Sequence, residues 1–346
     1  MSGYARFQVG DVNGRILAEL TPYVESVSTI INGVGRCIFA LAKNDEKATA
    51  AYLNFGNRVL IEFENGLPNW GGIIDPPRDW ANRTVTCTAY SAEHILDWRI
   101  TGKQRRFSGA SKGAIYRAVT EEALPIPAFG LGSVWTGGIT HSPNYHIDSL
   151  LSVVRDSLCN RLGQAEFAVS AAEANGRIQF SAELYEERGL DTDLLLVEGL
   201  NVAQVRLSEN GPIVNDWTIA GSDIADGEGD GWGDGRLLAS AFDQASISAY
   251  GRRQGSEIYE DITVQSTLDS KVANLLKKQK QPVNLYDLIV VDEEPARFRA
   301  YGLGDVLTLQ APSVGFEGTN KRVRVVGRDY FPANGTINLV VQEVVA

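Results

Sequence analysis

The sequence predicts a mixed β and α+β fold: two small β-barrel domains with α/β insert domains. Three observations carry this. Short alternating apolar runs, separated by turn dipeptides about every 8 to 12 residues, fill residues 1–100 and return after 283. Apolar residues at helical spacing are confined to residues 101–199 and to one later stretch near 267–281. The 346-residue chain is 44% hydrophobic and 9% aromatic, enough for more than one packed domain.

The first β region opens with a hairpin about Asn13-Gly14. "VLIEFE" and "WGGIID" follow as strands, with Asn65-Gly66 as a turn and Pro76-Pro77 as a break. In "TVTCTAY", Val85, Cys87 and Ala89 oppose Thr84, Thr86 and Thr88. After residue 101, "SGASKGAIYRAVTEEAL" reads as a helix with Ser111 as N-cap and Ile115, Val119 and Leu124 near one face. "SPNYHIDSLLSVVRDSLCNRLG" reads as a second helix carrying Ile147, Leu150, Leu151, Val154, Leu158 and Leu162, closed by Gly163. A hairpin about Asn175-Gly176 follows. A later helix takes Thr267 as N-cap and ends in "KKQK", whose charge suits the helix dipole. The expected division is residues 1–100 as the first barrel and 101–199 as the α/β insert. Residues 200–222 return to the first barrel, 223–240 form an acidic Gly-rich linker, and 241–346 form the second barrel with a short helix.

Net charge is −11, which argues against a surface built to grip nucleic acid or anionic lipid. No apolar run reaches the roughly 20 residues that span a bilayer, so no stable membrane insertion is expected. The N-terminus shows no basic start followed by an apolar core, so no secretory leader is expected. Cys37, Cys87 and Cys159 fit neither a disulfide framework nor zinc spacing; buried free thiols and folding in a reducing cytoplasm are expected.

Few motifs hint at chemistry. "GASKG" matches G-x-S-x-G formally, but polar "KQRRF" precedes it where a nucleophile elbow needs a strand. His94, His141 and His146 form no metal-ligand spacing. "KQRR", residues 103–106, is the densest basic cluster, and Arg105 and Arg106 are candidate partner contacts set against a solvated junction loop. No catalytic residue and no cofactor is expected.

The ordered series of motifs adds to this. "NDWTIAG" ends a strand in glycine, a variable loop follows, and then come an Asp and "SISAYGRR". A short helix, "NLYDLIVV", "YGLGDVLTL" and the hairpin "RVRVVGRDYFPANGTINLVVQE" complete the order. Upstream, "WGGIIDPPRDW" precedes "TVTCTAYSAEHILDWRI", with Ser91-Ala92-Glu93 where the pattern has Asp. This order resembles the baseplate or tail-tip hub proteins of tailed phages, the siphophage hub family, and is similar to the trimeric hub of contractile tails. The resemblance covers nearly the whole chain. It implies a homotrimer whose six barrels form a pseudo-sixfold ring joining the tail tube to a threefold tip or fibre. It also implies a virion location and three neighbours: a distal tail or tube ring, a tip or fibre protein, and the tape measure protein. DNA would only pass through, without specific binding, and no peptidase, lysozyme or fibre domain is expected. The rival readings are a tail-associated cell-wall hydrolase or endopeptidase, and a carbohydrate-binding adsorption module. The latter wants a row of aromatics, whereas the six tryptophans are scattered singly.

One segment stands apart. In "DIADGEGDGWGDG", Asp226, Glu228, Asp230 and Asp234 match positions 1, 3, 5 and 9 of a calcium loop. Leu237 stands where the bidentate Glu should be, and a strand rather than a helix precedes the segment. A pliant acidic connector is the better reading, with Trp232 as a candidate contact to a neighbour. Calorimetric titration with calcium is therefore expected to give no tight binding. Tight binding abolished by Asp230→Ala would instead make the segment a metal site.

Overall fold

The computed structural model describes residues 4–63, 69–102, 105–123, 125–138, 140–161, 165–223, 236–260, 262, 264–315 and 318–344. Several expected features lie outside these residues: the Asn65-Gly66 turn, Leu124, Leu162 and Gly163, half of "KQRR", and the acidic segment with Asp226, Glu228, Asp230, Trp232 and Asp234.

Among the described residues thirteen strands form one sheet. Its order runs Val202–Asn210, Val283–Val291, Thr336–Glu343, Thr319–Phe331, Tyr23–Ile30, Arg36–Ala42, Thr84–Ser91, Trp70–Trp80, Arg58–Glu62, Arg6–Gly10 and Ile16–Leu20. Val306–Ala311 also pairs with Thr319–Phe331, and Asp191–Val197 pairs with Val306–Ala311. The strands obey period-two burial. Val85, Cys87 and Ala89 are buried as their alternation predicts, and so are Tyr286, Leu288 and Val290. These inward residues from both β regions join a single apolar core.

That result corrects the expectation of two separate barrels: among the described residues no sheet closes into a barrel. The two β regions are instead spliced edge to edge. Gly327, Arg328, Asp329 and Tyr330 pair antiparallel with Ile30, Thr29, Ser28 and Val27. Alternation says that a strand is half-buried. It does not say which edge receives it.

The same limit moved other segments. Within residues 200–222, Val202–Asn210 pairs with Val283–Val291 rather than returning to the first β region. Asp216–Asp223 lies between Arg236–Phe242 and Gln254–Ile258 in a separate three-stranded sheet. Helix Gln265–Gln279 packs on that sheet through Leu268 and Val272, against Trp217, Ile219 and Ala239. It starts at Gln265 with Val264 as N-cap, so Thr267 lies inside it. Pro76 and Pro77, expected to break the chain, sit inside Trp70–Trp80 where the register shifts between Asp75 and Arg78. Proline lacks the ladder donor, so a bulge absorbs the pair without ending the strand.

The insert builds a second core that also takes in Leu60, Ile73, Ile95 and Leu96 from the first β region. Helix Lys112–Ala123 buries Ile115, Tyr116 and Val119, and Ser111 Oγ accepts from Ala114 N as the expected cap. It packs with the sheet of Phe129–Val134, Arg177–Tyr185 and Glu166–Ala174. Asn175 and Gly176 both have positive φ, as a type I′ hairpin requires. The second helix differs from expectation. Leu150–Ser152 is α-helical and Val153–Arg161 is π-helical, while Ile147 precedes the helix, exposed and with φ of 53°.

Arg58 pins this insert to the main sheet. It is 2% exposed. Its Nη1 donates to Ala128 O and Ile178 O at 2.9 Å each, and its Nη2 donates to Val12 O and Pro127 O. Phe180 lies under the guanidinium at 4.8 Å. Burial pulls its pKa down to about 10. Gly14, at φ +83°, lets the first hairpin approach, because a Cβ there would stand 2.5 Å from Ile178 O. Arg58→Met keeps the apolar stem but leaves four carbonyls without this donor. The expected loss is roughly 3 kcal/mol of unfolding free energy, read as a lower urea midpoint at unchanged slope.

Candidate functional site

The insert, the N-terminal strands and the C-terminal strands meet around the splice. Phe298 stacks on Tyr330 with ring centroids 4.3 Å apart and lies 5.3 Å from Phe63. Asp292 accepts from Tyr330 Oη at 2.9 Å and from Phe298 N at 2.7 Å. Trp70 Nε1 donates to Ser28 O at 3.1 Å, fastening the far side of the same ladder. Arg324 closes the third side. Its Nη1 and Nη2 reach the two Glu166 oxygens at 2.8 and 2.9 Å, and it also donates to Gly304 O and Arg188 O. Glu166 accepts from Arg188 N as well. A bidentate pair this enclosed fixes orientation as well as distance.

Two cavities border this frame. One, of about 370 Å³, lies at the meeting point and is lined by Phe63, Trp70, Glu93, Arg188, Phe298 and Arg328 among others. The other is a cleft of about 1160 Å³ between the insert, helix Gln265–Gln279 and the C-terminal strands. Its walls mix Lys277, Lys278 and Lys321 with Glu186, Glu187 and Glu343, so no single sign dominates.

The edges of the sheets are treated unequally. Asn201 caps strand Asp191–Val197: its Oδ1 accepts from Val197 N at 2.7 Å and its Nδ2 donates to Leu195 O at 3.0 Å. Strand Ile16–Leu20 is partly covered by Gly176 O on Ile16 N and by Lys47 on Glu19 O. Val202–Asn210, by contrast, pairs with a strand on one side only among the described residues. The three-stranded sheet leaves Leu238, Phe242 and Ile258 more than half exposed on the face away from its helix. Such unpaired edges and apolar faces are what assembly surfaces use.

Of the sequence-derived sites, Arg105 sits in the short strand Arg105–Arg106, which pairs with Asn144–Tyr145. Its Nε lies 3.0 Å from Glu122 and its guanidinium lies over Phe107. Arg106 is exposed beside it. The three cysteines are buried and free, and burial raises all three thiols, Cys159 to about 12. Trp70 and Trp217 are buried, while Trp80 and Trp98 are exposed. No group of three His, Cys, Asp or Glu side chains among the described residues could hold a metal ion. Sequence reasoning missed Arg58, Arg324 and Arg328. For Arg324 and Arg328 a partial signal was present in "RVRVVGR", where basic residues recur inside an apolar strand, though it did not show their acceptors.

Set against solved structures, the chain overlays whole proteins. Prophage tail protein gp18 from Listeria monocytogenes EGD-e matches with a TM-score of 0.64 at 12% identity, over 98% of this chain and 94% of that one. This is a phage tail-protein fold. A tail protein from Neisseria meningitidis MC58 gives a TM-score of 0.65 at 10% identity, over 97% and 96% of the two chains. The same tail-protein fold extends to the E. coli c3393 protein, with a TM-score of 0.55 at 9% identity over 94% and 75%. That protein is a component of the type VI secretion system, similar in structure to T4 bacteriophage tail proteins gp27 and gp5. No protein-family model and no curated protein matches the sequence.

His141 supplies a pH probe of the insert within this fold. It is 8% exposed, and neither ring nitrogen has a hydrogen-bond partner among the described residues. Burial first, then Lys112 and Lys271, pull its pKa down to about 4. The unfolded ring takes up its proton near pH ~6.5. Its contribution is therefore full above about pH 6.5, falls as the pH drops, and levels off below about 4. Thermal or urea unfolding across that window should lose roughly 2 kcal/mol, and His141→Gln should flatten that part of the profile.

Proposed function

We propose that the chain is a structural virion protein, the homotrimeric hub of a phage tail tip. The end-to-end overlay on solved tail proteins carries this reading, because it spans nearly all of both chains. In the hub, each copy contributes its two β regions to a pseudo-sixfold ring that joins the sixfold tail tube to a threefold tip or fibre. The open edge of Val202–Asn210 and the bare face carrying Leu238, Phe242 and Ile258 support a chain that completes itself by assembly. A distal tail or tube ring, a tip or fibre protein and the tape measure protein are its neighbours.

The mechanism is geometric, with no catalytic step of its own. DNA passes through the ring without specific contacts, and the net charge of −11 suits that, since a basic wall would hold phosphates. The acidic stretch 223–235 joins Asp216–Asp223 to Arg236–Phe242 as a connector, with Trp232 and the Arg105–Arg106 strand offered to neighbours.

Light scattering on the purified chain, alone and with isolated tails, tests the reading. The expected mass is three times 37.6 kDa, free or bound. A chain that stays monomeric in both settings contradicts the hub, and a lytic band on peptidoglycan zymography replaces it with a hydrolase.

A further inference from the structure

The cavity at the splice holds a buried charge that the fold answers only in part. Arg328 lines it and is 7% exposed. Among the described residues Nη2 donates to Phe298 O at 2.6 Å, and Nε has no hydrogen-bond partner. No ion pair reaches it among the described residues, and Asp305 and Asp292 act on its charge only from farther off. Arg58 shows how this same chain satisfies a buried guanidinium, with four carbonyl acceptors. Arg328 has one carbonyl and the faces of Phe298 at 3.8 Å and Tyr301 at 5.3 Å. Ring faces contribute far less than a buried cation loses on leaving water. The buried hydroxyl of Tyr301 is a second orphan beside it.

The rest of the cavity fits an anion with an apolar body. Phe63, Trp70, Phe298 and Leu303 supply apolar wall, and Arg188 brings a second cation, set over Tyr185 at 5.6 Å. The acids there are already engaged. Glu183 accepts from Tyr185 Oη and Ser170 Oγ, and Glu93 accepts from Val169 N. Burial also pushes the Glu93 carboxyl up, which weakens its repulsion of an incoming anion. A volume near 370 Å³ suits a small ligand, and the cavity reaches the surface beside the half-exposed Ile30.

We propose that this cavity is a binding site for a monocarboxylate borne on an aromatic or apolar group, with Arg328 and Arg188 receiving the charge. The carboxylate is either that of a free small molecule or the terminus of a partner's chain, and the same chemistry serves both.

The test is calorimetry on the full chain with sodium phenylacetate, and with acetyl-Gly-Gly-Phe as its free acid. Phenylacetamide and the amidated peptide serve as neutral controls. Saturable binding of phenylacetate, at least about tenfold tighter than its amide, is expected. Binding of the acid peptide in addition assigns the site to chain termini, and binding of phenylacetate alone assigns it to free acids. Arg328→Gln should abolish binding. Because Arg328 stands on the splice ladder, Leu303→Trp provides a second variant, narrowing the cavity from a wall off that ladder. No binding of either acid overturns the proposal. So does equal binding of acid and amide, or binding that survives Leu303→Trp.

Discussion

Everything else in this chain hangs on the antiparallel pairing of Val27–Ile30 with Gly327–Tyr330. Without it, the N-terminal and C-terminal strands are two open sheets, each with an unpaired edge next to an apolar interior. With it, they share one core from Phe7 to Val341. Residues about three hundred positions apart close this ladder, so its loop-closure cost is repaid only when both sheets are already built. The edge-to-face contact of Phe298 with Phe63 crosses between the two regions, while the stack of Phe298 on Tyr330 and the Trp70 bond to Ser28 brace the two sides of the ladder. In the proposed ring such bracing would matter, because a small error per copy prevents closure.

Buried arginines do the joining between layers. Arg58 ties the insert to the N-terminal strands through backbone carbonyls alone, and Arg324 ties it to the C-terminal strands through Glu166. The planar guanidinium suits this work, because its donors spread across several segments at once. Arg328 is the exception that remains underserved, and it lies where all three layers meet.

Local features were legible in the sequence. The hairpins at Gly14 and Gly176, the Ser111 cap and the alternation of Val85, Cys87 and Ala89 all follow from turn chemistry and periodicity. Pairing partners were not. Val202–Asn210 has the same half-buried pattern whether it joins the first β region or the second, and only the competition among edges decides. The π-helical turn at Val153–Arg161 was equally hidden, since apolar spacing alone leaves the hydrogen-bond register open. The candidate site was the least legible part. Arg58, Arg324 and Arg328 matter through distant acceptors that no local window contains.

Native-state hydrogen exchange across the splice tests this account most directly. If the ladder makes the two sheets one cooperative body, amides of residues 27–31 and 326–330 open with the same free energy as those of Val59–Ile61 and Leu288–Val290. Splice amides that exchange at lower free energy, while both strand cores stay protected, would show two bodies that merely touch.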